Sequence, residues 1–230
     1  MTTLLQPDPD VLYPESDGLP LADNTIQFRL IATTQGGLDA LFRHEKVFVA
    51  GDLLWYPVEH SSQSKGPDVM VVFGRDKGDR RSYQQWKEDN IPPQVVFEFV
   101  SKNNSITEVE GAKLDFYQQH GVEEYYVHDP ERGTLKGWLR QGETLQPIAA
   151  MTGWISPRLS IRFELIGKEM QLYSPNGERF ATYPEIVEQR EQERQLRKQA
   201  ESKLDALSQR LKTLDPEQLQ ALGIDPEMLS

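Results

Sequence analysis

Glu98 stands in the run VVFEFV, with apolar residues at both its neighbouring and next-neighbouring positions. In a strand, alternation sets Glu98 on the same face as Val96 and Val100. An ionised carboxylate there is costly unless it pairs with a cation, binds a metal or takes up a proton. The plain alternative is an edge strand whose glutamate faces water. Asp68 follows Pro67 and opens the run DVMVVF. Proline is tolerated at the first position of a strand, and an aspartate at a strand end can present its carboxylate to a neighbouring strand. Taken alone, Asp68 reads better as an ordinary loop-to-strand residue. Lys113 falls on the helical segment after Glu98 and shares a flank with Val109 and Tyr117, where its stem could simply cover apolar neighbours. The three together make chemical sense. Two carboxylates and a backbone carbonyl are the hard oxygen ligands that Mg²⁺ prefers. Such a cation lowers the pKa of a coordinated water and polarises a phosphoryl oxygen. A nearby ammonium orients the attacking water and stabilises charge growing on the phosphate.

These residues need elements to hold them. Residues 25–44 repeat apolar positions at helical spacing, at Ile26, Leu30, Leu38, Leu41 and Phe42, with Asp23 or Asn24 as cap. The pair Gly36-Gly37 marks a kink or a close approach. Residues 46–56 form a strand-like run of branched and aromatic residues around Gly51, and 68–73 and 95–100 are short apolar runs of the kind that lie inside a covered sheet. Residues 107–120 read as one helix, with Thr107 and Glu110 in capping-box spacing and Gly121 at the stop. A strand at 124–128, a hairpin over 134–140 and 143–148 around Gln141-Gly142, and strands near 158–165 and 169–174 follow. This order predicts an α/β or α+β domain around a mixed central sheet. Segment 74–92 mixes Arg75, Lys77, Arg80, Arg81 and Lys87 with Tyr83 and Trp86. It could touch a nucleic-acid backbone, but its own acids favour a solvated loop.

The expected organisation is an extended arm over 1–24, a domain over 25–183 and a helical tail over 184–230. In the tail, Ala200, Leu204, Leu207, Leu211 and Leu214 step by four and three. That seam reads as a solvated helix or as a short coiled coil joining two copies. The net charge of −11 is concentrated at the ends, since residues 1–24 and 214–230 hold nine acids and no Lys or Arg. The body is therefore nearly neutral and leaves the partner open. Cysteine is absent, which excludes disulfides, thiolate metal sites and cysteine catalysis. No segment reads as a signal peptide or membrane span, so a cytoplasmic protein with no membrane partner is expected. The histidines, His44, His60, His120 and His128, have no zinc-motif spacing, and neither a phosphate-binding glycine loop nor a nucleophile elbow is present.

The strings GPDVMVVFG, PPQVVFEFVSKNNS and AKLDFYQQHGVEEYYVHDP, with the tail ending in ALGIDP, resemble the Uma family of restriction-endonuclease-like proteins, within the PD-(D/E)xK nuclease superfamily. The resemblance runs from about residue 10 to 228. It implies a restriction-endonuclease-like mixed sheet flanked by helices, an Mg²⁺ or Mn²⁺ cofactor and DNA as substrate. By this likeness Asp68 is the first acid, Glu98 the second, and the Phe99 carbonyl the backbone ligand. The pattern departs where its lysine should stand, because Val100 lies two residues after Glu98. The resemblance moves the lysine to Lys113, with Lys102 as rival. An acid from the first helix or its end completes such sites, and Glu45 and Asp52 are the remote candidates. Three readings stay open: a metal-dependent endonuclease; an inactive nuclease-fold module that acts through its C-terminal helix; and a hydrolase of small molecules or nucleotides on the same site.

Overall fold

Branched and aromatic residues build the sheet in the computed structural model of the protein, which describes residues 13–16, 18, 22–101, 105–221 and 223. Strands β1 (Val47–Gly51), β3 (Val69–Phe73), β5 (Val95–Phe99), β6 (Glu124–Asp129), β7 (Thr134–Gln141) and β8 (Thr144–Pro147) form one six-stranded sheet in the order β1-β3-β5-β6-β7-β8. The β5–β6 pair is parallel and its neighbours are antiparallel. A parallel pair needs a crossover, and helices α2 (Ile106–Val109) and α3 (Ala112–Gln119) supply it. Strands β2 (Trp55–Tyr56) and β4 (Tyr83–Gln84) make a small parallel pair, and β9 (Arg162–Ile166) and β10 (Glu169–Tyr173) make a hairpin. The fold is α+β with a central mixed sheet, flanking helices and a C-terminal helix.

Alternation divides the core into two layers. Val69, Val71, Val95, Phe97 and Phe99 pack with Ile31 and Leu38 of helix α1 (Thr25–Leu41). Met70, Val72, Val96 and Val100 pack with Phe116 and Tyr117 of α3. Asn24 caps α1, its side chain accepting the Gln27 amide at 2.9 Å. The helix runs on through Gly36-Gly37, and close approach is the reason for the glycine: a side chain at Gly37 would run into the Phe180 ring.

Three expectations change. The stripe that α1 buries is Gln27, Ile31, Thr34 and Leu38, while Ile26 is exposed. Apolar count misplaced that face because two polar residues, Gln27 and Thr34, are buried on it, and Gln27 finds buried partners there. The segment 107–120 is two helices. Ser105 caps the first, accepting the Glu108 amide, and Thr107 lies inside the first turn. The break comes at Gly111, where a Cβ would stand 2.7 Å from the Thr107 carbonyl oxygen. The segment 46–56 is two strands, separated where Asp52 adopts a left-handed backbone with φ of 48°.

The chain forms two compact units that meet at Ala181 and Thr182. The second contains α4 (Tyr183–Lys212) and α5 (Pro216–Ala221). Helix α4 starts one residue before the expected tail boundary, with the Glu185 carboxylate accepting the Thr182 amide at 2.7 Å. Among the described residues no helix is long and apolar enough to cross a membrane.

Candidate functional site

Strand register brings the two predicted acids together. Val69 of β3 lies opposite Phe97 of β5, so one step further sets Asp68 opposite Glu98. Directly opposed residues of an antiparallel pair share a face, here the layer of Met70 and Val96 beneath α3. Glu98 has no solvent exposure and Asp68 only 6%. Asp68 ends the β3 ladder with its side chain: Oδ2 accepts the Phe99 amide at 2.6 Å.

Helix α3 delivers the cation. Lys113 Nζ lies 2.7 Å from Glu98 Oε2, and Tyr117, one turn further on, donates its hydroxyl to Oε1 at 2.6 Å. Val100, in the place where the pattern has lysine, is a buried member of the α3-side layer. A lysine head at that point would enter a packed apolar layer, whereas Lys113 reaches the same acid from the helix above. Lys102 lies outside the described residues. Glu45 is exposed beyond the C-terminal end of α1, and Asp52 is exposed in the turn after β1.

The residue that α1 contributes is one that sequence reasoning missed. Gln27 is buried, and its Nε2 donates to Asp68 Oδ1 at 3.4 Å and to the Phe99 carbonyl at 3.2 Å. Its Oε1 accepts the Asp23 amide at 2.9 Å. A side-chain amide thus ties together two oxygens, the Asp68 carboxylate and the Phe99 carbonyl, that were expected to hold a metal. The only signal for it was a polar residue between Ile26 and Phe28 on a helix face.

Burial and the neighbouring Glu98 charge push the Asp68 carboxyl up to about 8, against the opposing pull of Lys113, the Phe99 amide and Gln27. Burial alone would lower the Lys113 ammonium, but Glu98 and Asp68 more than offset it and hold its pKa above the ordinary value. Lys113 is therefore a cation at neutral pH. Burial and Glu98 raise Tyr117 well above its usual range, so it stays a neutral donor.

This donor set fits a small divalent cation. Among the described residues Lys113 is the ammonium beside the two buried carboxylates, and burial first, then the Glu98 charge, drives Asp68 to bind a proton. The available atoms are all oxygens, as Mg²⁺ and Mn²⁺ require. Among the described residues no group of three or more His, Cys, Asp or Glu side chains could hold a metal. Water and substrate would have to fill the other positions, which is common for Mg²⁺. Where β5 and β6 end, a cleft of about 300 Å³ opens between Ser101, Thr107, Asp129 and Arg132, and neither Asp68 nor Glu98 lines it. Carboxyl ends of parallel strands are where α/β sheets place ligands.

Four cations of the basic segment 74–92 pair with acids, two inside the segment and two outside it. Arg80 pairs with Glu88 at 2.7 Å and Arg75 with Asp89 at 2.6 Å, while Lys77 meets Asp39 and Arg81 meets Glu15. Arg80 also lies over the Phe48 ring at 4.0 Å. The segment also carries β4 and a short 3-10 turn, Gln85–Lys87, and those four cations are each engaged by an acid.

Residues 17–172 match the family described as "Uma2: Putative restriction endonuclease". The chain belongs to this family. The Uma2 match takes in Gln27, Asp68, Glu98, Lys113 and Tyr117, and ends within β10. It is narrower than the span from 10 to 228 suggested by sequence, since α4 and α5 fall beyond it. A solved structure described as "a putative nuclease belonging to DUF820" from Anabaena variabilis is also similar. It is 14% identical with a TM-score of 0.44, over 58% of this chain and 72% of that one. No curated protein matches the chain.

Proposed function

We propose that the protein is a metal-dependent endonuclease that hydrolyses phosphodiester bonds of DNA. The observation that carries this reading is the buried Asp68–Glu98 pair with Lys113 held at 2.7 Å from Glu98. Asp68, Glu98 and the Phe99 carbonyl would hold Mg²⁺ or Mn²⁺. When bound there, such a cation supplies Lewis acidity and a more acidic water. The residues of the chain do the rest. The Phe99 amide fixes the Asp68 carboxylate, and Tyr117 fixes one oxygen of Glu98, so both acids are oriented before any substrate arrives. Lys113, buried and cationic, is placed to hold a phosphoryl oxygen and to stabilise the charge that grows on it. Gln27 would release the Phe99 carbonyl or stay as a donor to the non-ligating oxygen of Asp68. A cytoplasmic location and pairing of two copies complete the reading.

The test is cleavage of supercoiled and linear DNA by the purified chain in Mg²⁺ or Mn²⁺, with cation binding followed separately by the electron spin resonance of Mn²⁺. Asp68→Asn should remove both cutting and Mn²⁺ binding. Cutting that survives Asp68→Asn and Glu98→Gln would reject the site.

A second reading is favoured by the exposed leucines of α4: a nuclease fold without catalysis, recruiting partners through that helix. Mn²⁺ binding without cleavage of any DNA would point to it.

A further inference from the structure

Helix α4 runs for thirty residues and buries none of them. Tyr183, Ile186, Leu204 and Leu207 are 77, 42, 68 and 58% exposed. Leu211 and Leu214, by contrast, are half-buried, where the chain approaches α5. The heptad through Ala200, Leu204 and Leu207, extended back to the helix start, assigns the seam to Tyr183, Ile186, Arg190, Glu193, Arg197, Ala200, Leu204 and Leu207. That seam is apolar at both ends and charged in the middle, and the order of its charges discriminates between ways of pairing it.

A parallel pair sets like against like. Arg190, Glu193 and Arg197 would each face their own counterpart in three successive layers, which is unfavourable for desolvated charges. An antiparallel pair, in which a and d positions share layers, has one register without such a conflict. It sets Tyr183 against the partner's Leu207, Ile186 against the partner's Leu204, Arg190 against the partner's Ala200, and Glu193 against the partner's Arg197. Each layer joins apolar to apolar, a long cation to a small residue, or an acid to a base. Sliding one heptad in one direction sets Glu193 against Leu204. Sliding in the other direction sets Arg197 against Ile186 and carries Leu204 past the end of the partner helix. The favoured register also brings Leu196, 66% exposed on the flank of the seam, opposite its own symmetry mate. Arg194, at the matching place on the other flank, is held by Glu191 of its own helix at 3.1 Å.

We infer that α4 joins two copies of this chain as an antiparallel coiled coil centred beside Gln195, with Glu193 of each copy meeting the partner's Arg197. The occupant of the exposed face is a second copy because the face is complementary to itself when reversed.

The chain has no cysteine, so introduced thiols report cleanly. Full-length Ile186→Cys and Leu204→Cys proteins, mixed and treated with a short bis-maleimide, should cross-link to each other and hardly at all to themselves. In the inferred register, two copies of position 186 lie roughly 27 Å apart along the axis. Efficient self-linking of either variant would overturn the orientation. Sedimentation equilibrium of the full chain at about 50 µM should show a dimer that Glu193→Arg weakens on the order of tenfold. Arg197→Glu should weaken it similarly, and the double exchange should restore it. All four residues are on an exposed helix surface, and circular dichroism checks that each variant stays folded. A monomer at that concentration, or a dimer indifferent to Glu193→Arg, would overturn the proposal.

Discussion

Glu98 and Glu124 are both fully buried glutamates on neighbouring strands of one sheet, yet their surroundings differ in kind. Glu124 is surrounded by neutral donors. Tyr126 donates to it at 2.8 Å, the Arg158 backbone amide at 2.7 Å, and the Ser156 hydroxyl completes the set. Burial raises its pKa, and those hydrogen bonds offset only part of the rise. The result is a node that staples β6 to the Ser156–Arg158 turn. Glu98 has a tyrosine, a lysine and a second acid across the ladder. Burial of a carboxylate therefore does not by itself mark a reactive site. What differs is the company: Glu98 has a buried ammonium and a second buried acid beside it, whereas Glu124 is held by neutral hydrogen-bond donors.

The sharpest way to break this contrast is to neutralise each glutamate in turn. Glu98→Gln should reduce DNA cleavage by roughly a thousandfold, the scale of losing a group that acts on the reacting centre. Glu124→Gln should leave cleavage within about threefold while lowering stability by about 1–3 kcal/mol, as its donors lose their acceptor. Equal losses of activity at both positions, measured as single-turnover rates at saturating enzyme, would erase the distinction. Next in size is the lysine. Lys113→Met strands Glu98 in the interior and should cost about 3–5 kcal/mol in urea unfolding. The Lys113→Met/Glu98→Gln double variant should recover most of that cost. Failure to recover would mean that the pair is not the dominant interaction of either side chain.

The third test uses pH. Asp68 binds its proton up to about 8 in the folded protein, against an ordinary value of 3.8. Between these limits the folded state holds more protons than the unfolded chain, so stability falls as pH rises from about 4 through 8. In chelator, thermal melting should drop by several degrees, on the order of 5 °C, across that window. Asp68→Asn should flatten the profile. A wild-type profile that rises toward pH 8 would mean that Asp68 is already ionised in the folded state.

Much of the site was legible in the chain. Glu98 amid valines and phenylalanines is a conflict between polarity and local pattern, visible without coordinates, whereas Asp68 and Lys113 read as ordinary residues taken singly and were joined to it by the family resemblance. Gln27 was not legible, because the partners of its Nε2 lie 41 and 72 residues away in sequence and only the Asp23 amide is local. The α2–α3 break was hidden for a related reason. Thr107 and Glu110 offer capping-box spacing, but Ser105 two residues earlier wins the capping role. The short β2–β4 pair could not be read from two-residue strands, whose pairing depends on contacts almost thirty residues apart. The six-stranded sheet, in contrast, is built from long apolar runs whose period already states which way each side chain points.

The opposition of Val69 to Phe97 has a consequence for how the molecule can fail. A slip of β3 by one residue would turn Met70 and Val72 away from α3 and drive the Asp68 carboxylate into the opposite apolar layer. A slip by two would keep each side chain on its own face and still carry Asp68 away from Glu98. The meeting of the two carboxylates therefore reports the register of this pair of strands more sharply than its apolar packing does.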